Sequence, residues 1–370
     1  MKILQIANGY GNPLYENLFT ALGNKGIENT VYVPLNQKTS IPPSERTDVV
    51  FSRCFTDLDR LLFFSKQKKL VKDVERRDLL RDVSVIHAHT VFSGGYTAYQ
   101  LHRRYGLPYI IAVRNTDVNV FFRRMPHLRR TGLEVLKGAE QIIFLSPAYR
   151  KHLFSRYVPD TLWPQLEEKS LVIPNGIDSV FFQNIPLSKS PPGDTVRLIY
   201  VGELNSNKNL ETTVRAAALL RQRGLDIRLL AVGPITMEKY RALVEKTDFL
   251  EYHDRCSHLE IIQYLRGTDI FVMPSHTETF GLVYAEAMSQ GLPVLYTRGQ
   301  GFDEQFPDGT VGYSIPDKDP AELADKIQKV LANYAPLSEN CLRLVKKFDW
   351  DSIAEQYRAL YYDCAGRKKT

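Results

Sequence analysis

The chain has 370 residues, 44% of them hydrophobic and 24% charged, which is ordinary globular composition and enough for two domains of usual size. No apolar run reaches the length of a membrane span, and the opening Met1-Lys-Ile-Leu-Gln-Ile-Ala7 is too short in apolar core for a secretion signal, so it reads as a first strand. Net charge is +6, and Cys54, Cys256, Cys341 and Cys364 lie too far apart for metal or redox spacing, so the expectation is reduced thiols in a cytoplasm.

Short apolar runs alternate with helical patterns, the mark of parallel α/β architecture. In the first half the expected strands are residues 2–7, 30–33, 85–87, 109–113 and 141–145. Basic residues crowd 60–81, beside Phe63-Phe64, with Asp73, Glu75, Asp78 and Asp82 among them. Arg123, Arg124, Arg129 and Arg130 follow Phe121-Phe122. These clusters suit either a solvated helix face or an anionic membrane surface, and no nucleic-acid module is visible. Pro, Ser and Gly crowd 184–194, a linker composition. In the second half strands are expected at 196–201, 227–232, 269–273 and 293–295. Asn209, Ser257 with Glu260, and Asp319 before Pro320 read as helix starts. The resulting division is 1–183, 184–350 and a final helix in 351–370.

The richest stretch is Met273-Pro-Ser-His-Thr-Glu278-Thr-Phe-Gly-Leu-Val-Tyr-Ala-Glu286, followed by Gly291-Leu-Pro-Val. It runs strand, loop, helix, glycine stop, strand. Glu278 falls in the loop and Glu286 about two turns into the helix. The N–H groups of Phe280, Gly281 and Leu282 stand at the helix start, a ready place for an anion. Two acids with an anion site between them suit a ligand with hydroxyls at both ends and phosphate in the middle, as in a nucleotide sugar. A capping Glu and a solvated Glu are the plainer alternatives, though Ala285, Ala287 and Met288 around Glu286 argue against solvation.

Glu278 and Glu286, with seven residues between them, resemble the E-x7-E signature of retaining GT-B glycosyltransferases of the large family-4 type. Leu171-Val-Ile-Pro-Asn-Gly-Ile-Asp178 resembles that family's interdomain segment, and Tyr200-Val-Gly-Glu-Leu-Asn-Ser-Asn-Lys208 its phosphate-binding loop. Phe348-Asp-Trp350 resembles the start of the last helix, which in that fold crosses back to the first domain. The resemblance implies two doubly wound Rossmann-like domains facing across a cleft, with the acceptor on the first and the nucleotide sugar on the second. It implies sugar contacts from Glu278, ribose contacts from Glu286, and donor contacts from Gly202, Asn205, Lys208 and the Phe280-Gly281-Leu282 backbone. No metal and no cofactor beyond the donor are expected.

Two positions depart from the family pattern. Glu203 stands where an arginine usually follows Gly202, so the loop is re-aimed, another base supplies the charge, or activity is weakened. Arg114 replaces a histidine that often meets the donor sugar, while Asp117 matches the acid of that segment. Arg114 and Asp117 are either a structural ion pair at a strand end, or Arg114 reaches a phosphate or an anionic sugar. The turn with Gly9 and Gly11 would bring backbone close to donor or acceptor. The expected activity is retaining sugar transfer to an acceptor hydroxyl, in surface polysaccharide or glycolipid assembly, on a glycan or lipid-linked glycan. The alternatives are nucleotide-sugar or partner binding without transfer, and nucleotide-sugar 2-epimerisation.

Overall fold

The structure, a computed structural model, describes residues 1–11 and 13–366. Asn12, in the expected turn after the first strand, and 367–370, in the expected last segment, lie outside the described residues. The chain divides into two compact units. The first holds 1–145, 150–174 and the residues from Trp350 on; the second holds 146–149 and 175–349.

The first unit is built on seven parallel strands: β1 (Lys2–Ile6), β2 (Glu28–Asn36), β3 (Val49–Phe55), β4 (Val83–Ala88), β5 (Tyr109–Ala112), β6 (Gln141–Phe144) and β7 (Ser170–Val172). Their order is β3-β2-β1-β4-β5-β6-β7. Every residue of β5 and β6 is buried, because helices cover both faces of a parallel sheet, and apart from Gln141 at the start of β6 these strands are apolar throughout. The last helix, Trp350–Gly366, buries Ile353, Tyr357 and Tyr361 against Ile3, Phe19 and Val31.

The second unit repeats the plan with β8 (Thr195–Val201), β9 (Asp226–Val232), β10 (Leu250–His253), β11 (Ile270–Met273), β12 (Val294–Thr297) and β13 (Gly312–Ile315), all parallel, ordered β10-β9-β8-β11-β12-β13. Strand order reverses between β1 and β4 in the first sheet and between β8 and β11 in the second. Loops leaving the carboxyl ends at such a reversal diverge and open a crevice. Lys208 leaves β8 and Glu278 leaves β11, so both stand at the second reversal.

The helix starts follow the sequence signals with one exception. Ser257 and Glu260 form a reciprocal capping box, and Asp319 accepts from the N–H groups of Ala321 and Glu322. Asn209 occupies its N-cap position with φ of 56° but does not cap. Its amide donates instead to the carbonyls of Pro274 and Asp317, tying the β8 loop to the loops that leave β11 and β13.

Candidate active site

Four loops of the second unit are packed backbone to backbone around Glu278. Gly233 has φ of 137°, and a Cβ there would stand 2.3 Å from the Gly202 carbonyl oxygen, so only glycine lets the β8 and β9 loops touch. A Cβ on Gly301 would lie 2.1 Å from the Thr279 carbonyl, so the β12 loop runs directly against the β11 loop. The Gly301 N–H donates to the Glu278 carbonyl at 2.8 Å, and the Glu278 N–H donates to Gln300 Oε1 at 3.0 Å. Asn207 closes the other side: its amide donates to the Thr277 carbonyl and its Oδ1 accepts from the Thr277 N–H. His276 Nδ1 lies 2.7 Å from Asp317 Oδ2, fixing the start of the same loop.

The loop so held directs Glu278 at Lys208, with Nζ to Oε2 at 2.5 Å, while the other carboxylate oxygen accepts from the Thr279 N–H. Both residues belong to the one site expected from the sequence, and in the structure they pair directly. Asn207, Gln300 and His276, which set the geometry, carried no signal because their partners are distant in sequence.

Gly281 stands at the helix start with φ of 77°, and the helix runs Leu282–Ser289. The N–H groups of Phe280, Gly281 and Leu282 make no hydrogen bond among the described residues. Tyr284 donates to the Met273 carbonyl at 2.6 Å and, with Ala285 and Met288 buried beside it, seats the helix on the sheet. Glu286 is one turn into this helix rather than two, because the helix starts only at Leu282. It is half-buried, and its carboxylate has no partner among the described residues. Burial, with the like charge of Asp178 adding to it, pushes its carboxyl up to about 7.

Glu203 is exposed and accepts from the Asn205 amide at 3.0 Å. Asn205 Oδ1 in turn accepts from the N–H groups of Asn207 and Lys208, both at 3.0 Å, so Asn205 shapes the loop that carries the lysine. Gly202 and Glu203 line a cavity of about 170 Å³ with Gly233, Pro234, Arg255 and Cys256. The Arg255 guanidinium has no acidic partner among the described residues. A cation therefore does line the pocket at which the β8 loop presents Glu203.

In the first unit, Gly9 and Gly11 lie in the turn leaving β1, Gly11 with φ of 108°. Asp117 is wholly buried and accepts from the N–H groups of Arg114 at 2.9 Å and Phe92 at 3.1 Å. Burial raises its carboxyl to about 6 against the pull of those N–H groups and of Arg114. It clasps the segments that leave β4 and β5. Arg114 is half-buried, with Nε 3.4 Å from the His89 carbonyl. His87 and His89 stack at 4.1 Å in the core, bonded to Tyr361 and Gln5, and burial holds both imidazoles neutral.

Two family sequence models cover these two halves: "Glycosyltransferase Family 4" matches residues 14–181 and "Glycosyl transferases group 1" matches 182–348. The chain belongs to this glycosyltransferase family. Among its relatives, a D-inositol 3-phosphate glycosyltransferase of Arthrobacter sp. (strain FB24) is 28% identical over 66% of this chain and 61% of its own length. A glycogen synthase of Mycobacterium tuberculosis is 27% identical over 75% of this chain and 68% of its own. The chain thus spans somewhat under two thirds of the first of these. Solved structures match nearly the whole chain in fold. Sucrose-phosphate synthase from Thermosynechococcus elongatus superimposes with a TM-score of 0.74 at 21% identity, covering 98% of each chain. Anabaena HepE in complex with UDP gives 0.68 at 16% identity, covering 98% of this chain and 100% of its own. The two parallel sheets are those of GT-B glycosyltransferases.

Proposed function

We propose that the chain transfers a sugar from a nucleoside diphosphate sugar to an acceptor hydroxyl, with retention at the anomeric carbon. The observation that carries this reading is the Lys208–Glu278 pair at the β8/β11 reversal, beside three unbonded N–H groups and the unpartnered Glu286. A cation for diphosphate and an acid for sugar hydroxyls then lie on loops that open one crevice, with an acid for ribose hydroxyls on the helix that follows. In this reading the donor draws Lys208 from Glu278 to the diphosphate, and the N–H groups of 280–282 meet its oxygens. Both stabilise charge as it develops on the leaving group. The acceptor attacks from the face the diphosphate leaves, and a leaving phosphate oxygen takes the acceptor's proton. The first unit binds the acceptor, with Arg114, clasped through Asp117, turned to an anionic group. The acceptor class we favour is a glycan or lipid-linked glycan of surface polysaccharide or glycolipid assembly, met at the cytoplasmic face of a membrane.

Glu203 favours a second reading, nucleotide-sugar binding without transfer. Arg255 answers it if that guanidinium supplies the charge the β8 loop lacks. Arg255→Ala should then raise the donor KM about tenfold with little change in kcat, the size of one lost charge-assisted contact. An unchanged KM removes Arg255 from the site.

The direct test is thermal unfolding with UDP, GDP, ADP, TDP and their sugars, led by UDP because HepE is a UDP complex. A ligand at about a hundredfold over its Kd adds roughly 2.7 kcal/mol. A shift with one base, lost in Glu286→Ala, together with acceptor-dependent release of the diphosphate, supports transfer. A shift without turnover supports binding alone, product from donor alone supports epimerisation, and no shift with any nucleotide sinks all three.

A further inference from the structure

We infer that the first unit docks on an anionic bilayer through a leucine ridge at residues 58–64, flanked by unpaired basic side chains. Leu58 is 66% exposed, Leu61 82%, Leu62 53% and Phe64 47%. Single exposed leucines are ordinary, but four large apolar side chains within seven residues form a patch that water disfavours. The ridge is the short helix Asp57–Leu61, the break at Leu62 and the start of the helix Phe63–Arg76.

The fold joins this ridge to the arginines that follow residue 122. The Phe63 ring packs on Tyr96 at 5.6 Å and on Phe121 at 6.4 Å, and Phe121 stacks on Phe92 at 4.6 Å. The chain leaving Phe122 carries Arg123 and Arg124, both exposed and with no acidic partner among the described residues. Along the helix, Phe64, Lys68 and Lys72 recur every four residues and so share one face. Lys68 and Lys72 are exposed and unpaired among the described residues.

Most of the remaining basic run is neutralised. Lys69 pairs with Asp59, Arg76 and Arg77 with Asp73, and Arg81 with Asp78. That part is a solvated, ion-paired face. The acids of the ridge are also neutralised, Asp59 by Lys69 and Asp57 by Lys38. What faces outward is apolar side chains and net positive charge. A water-soluble acidic partner would answer the charge and leave the leucines wet; an anionic bilayer answers both. The leucines enter the acyl boundary while Lys68, Lys72, Arg123 and Arg124 meet lipid phosphates. This deepens the lipid-linked acceptor reading, yet it is measured without donor or acceptor and so stands or falls separately.

The test is cosedimentation of the full chain with phosphatidylcholine vesicles and with vesicles also containing phosphatidylglycerol. Binding to the second, weakened by salt, is expected. Leu61→Ser with Leu62→Ser should lower partition about tenfold, and Arg123→Glu with Arg124→Glu should lower it as much and erase the lipid preference. Thermal unfolding of both variants should match the parent, since these side chains are exposed. Failure of the parent to sediment with anionic vesicles overturns the proposal. So does leucine-variant binding equal to the parent's. Loss of a parent dimer in the leucine variant, with no vesicle binding, would make the ridge a contact between copies.

Discussion

Glu286 holds its carboxyl near 7 because it is drawn out of water beside Asp178 without a cation in return. The sign of the consequence follows from linkage. The folded chain binds this proton more tightly than the unfolded chain, whose carboxyl sits at the ordinary 4.5. Its contribution to stability is therefore full below about 4.5 and is lost as pH rises through about 7. Glu286→Gln keeps the shape and removes the charge. At pH 8 it should stabilise the second unit by about 1–2 kcal/mol, discounted for partial exposure, and at pH 5 the gain should fall away. If the carboxylate also accepts ribose hydroxyls, affinity for a nucleotide sugar should rise from pH 6 to pH 8 in the parent and stay flat in the Gln variant. A nucleotide sugar is the right probe because its diphosphate does not titrate in that window. A parent that binds equally across the window would separate Glu286 from the ribose.

The loops around Glu278 form one assembly because glycines let their backbones touch. Gly301→Ala puts a Cβ into the Thr279 carbonyl, and backbone cannot turn aside as a long side chain can. The β11 loop must move, so the variant should lose about 2 kcal/mol or more and bind nucleotide sugar less tightly through a displaced Glu278. Gly23→Ala is the matched control: it lies in the helix Pro13–Asn24 with nothing within 4 Å of its new Cβ, and should raise Tm slightly. Equal melting of the two variants would refute the packing argument. At this scale the sequence was legible in part, for a physical reason. The strands β3, β7, β10 and β13 went unread, and they are the four edges of the two sheets. Ser52-Arg53 and Glu251 break the apolar runs of β3 and β10, β7 has only three residues, and Gly312 and Ser314 dilute β13. Central strands, covered on both faces, keep the unbroken runs that periodicity detects. The site divides in the same way. Glu278, Glu286 and the glycine-led helix start are contiguous and readable, whereas Asn207, Gln300 and Arg255 join the site or its neighbouring pocket only through tertiary contact.

The first unit is discontinuous in the chain, and this makes its stability depend on the last helix. Trp350, Ile353, Tyr357, Leu360 and Tyr361 share a core with Ile3, Phe19, Leu22 and Val31. Tyr361 also lies under the sheet as a polar link: its hydroxyl is 2.7 Å from His87 Nδ1 and 3.3 Å from Gln5 Nε2, all buried. Ending the chain at Asp349 strips the apolar wall from this core and exposes that network. The second unit, 146–149 and 175–349, keeps its own sheet and the Lys208–Glu278 pair on the loops of that sheet. Calorimetry of the truncated chain should therefore show the transition of the first unit moved far down or lost, with that of the second retained. Tyr361→Phe is the graded version. It keeps the ring and deprives His87 and Gln5 of a partner, and should cost about 1–3 kcal/mol, confined to the first unit. A truncation that lowers both transitions equally would mean that the last helix does not belong energetically to the first core. A Tyr361→Phe chain that melts like the parent would mean that the hydroxyl's links to His87 and Gln5 add nothing beyond the packing of the ring.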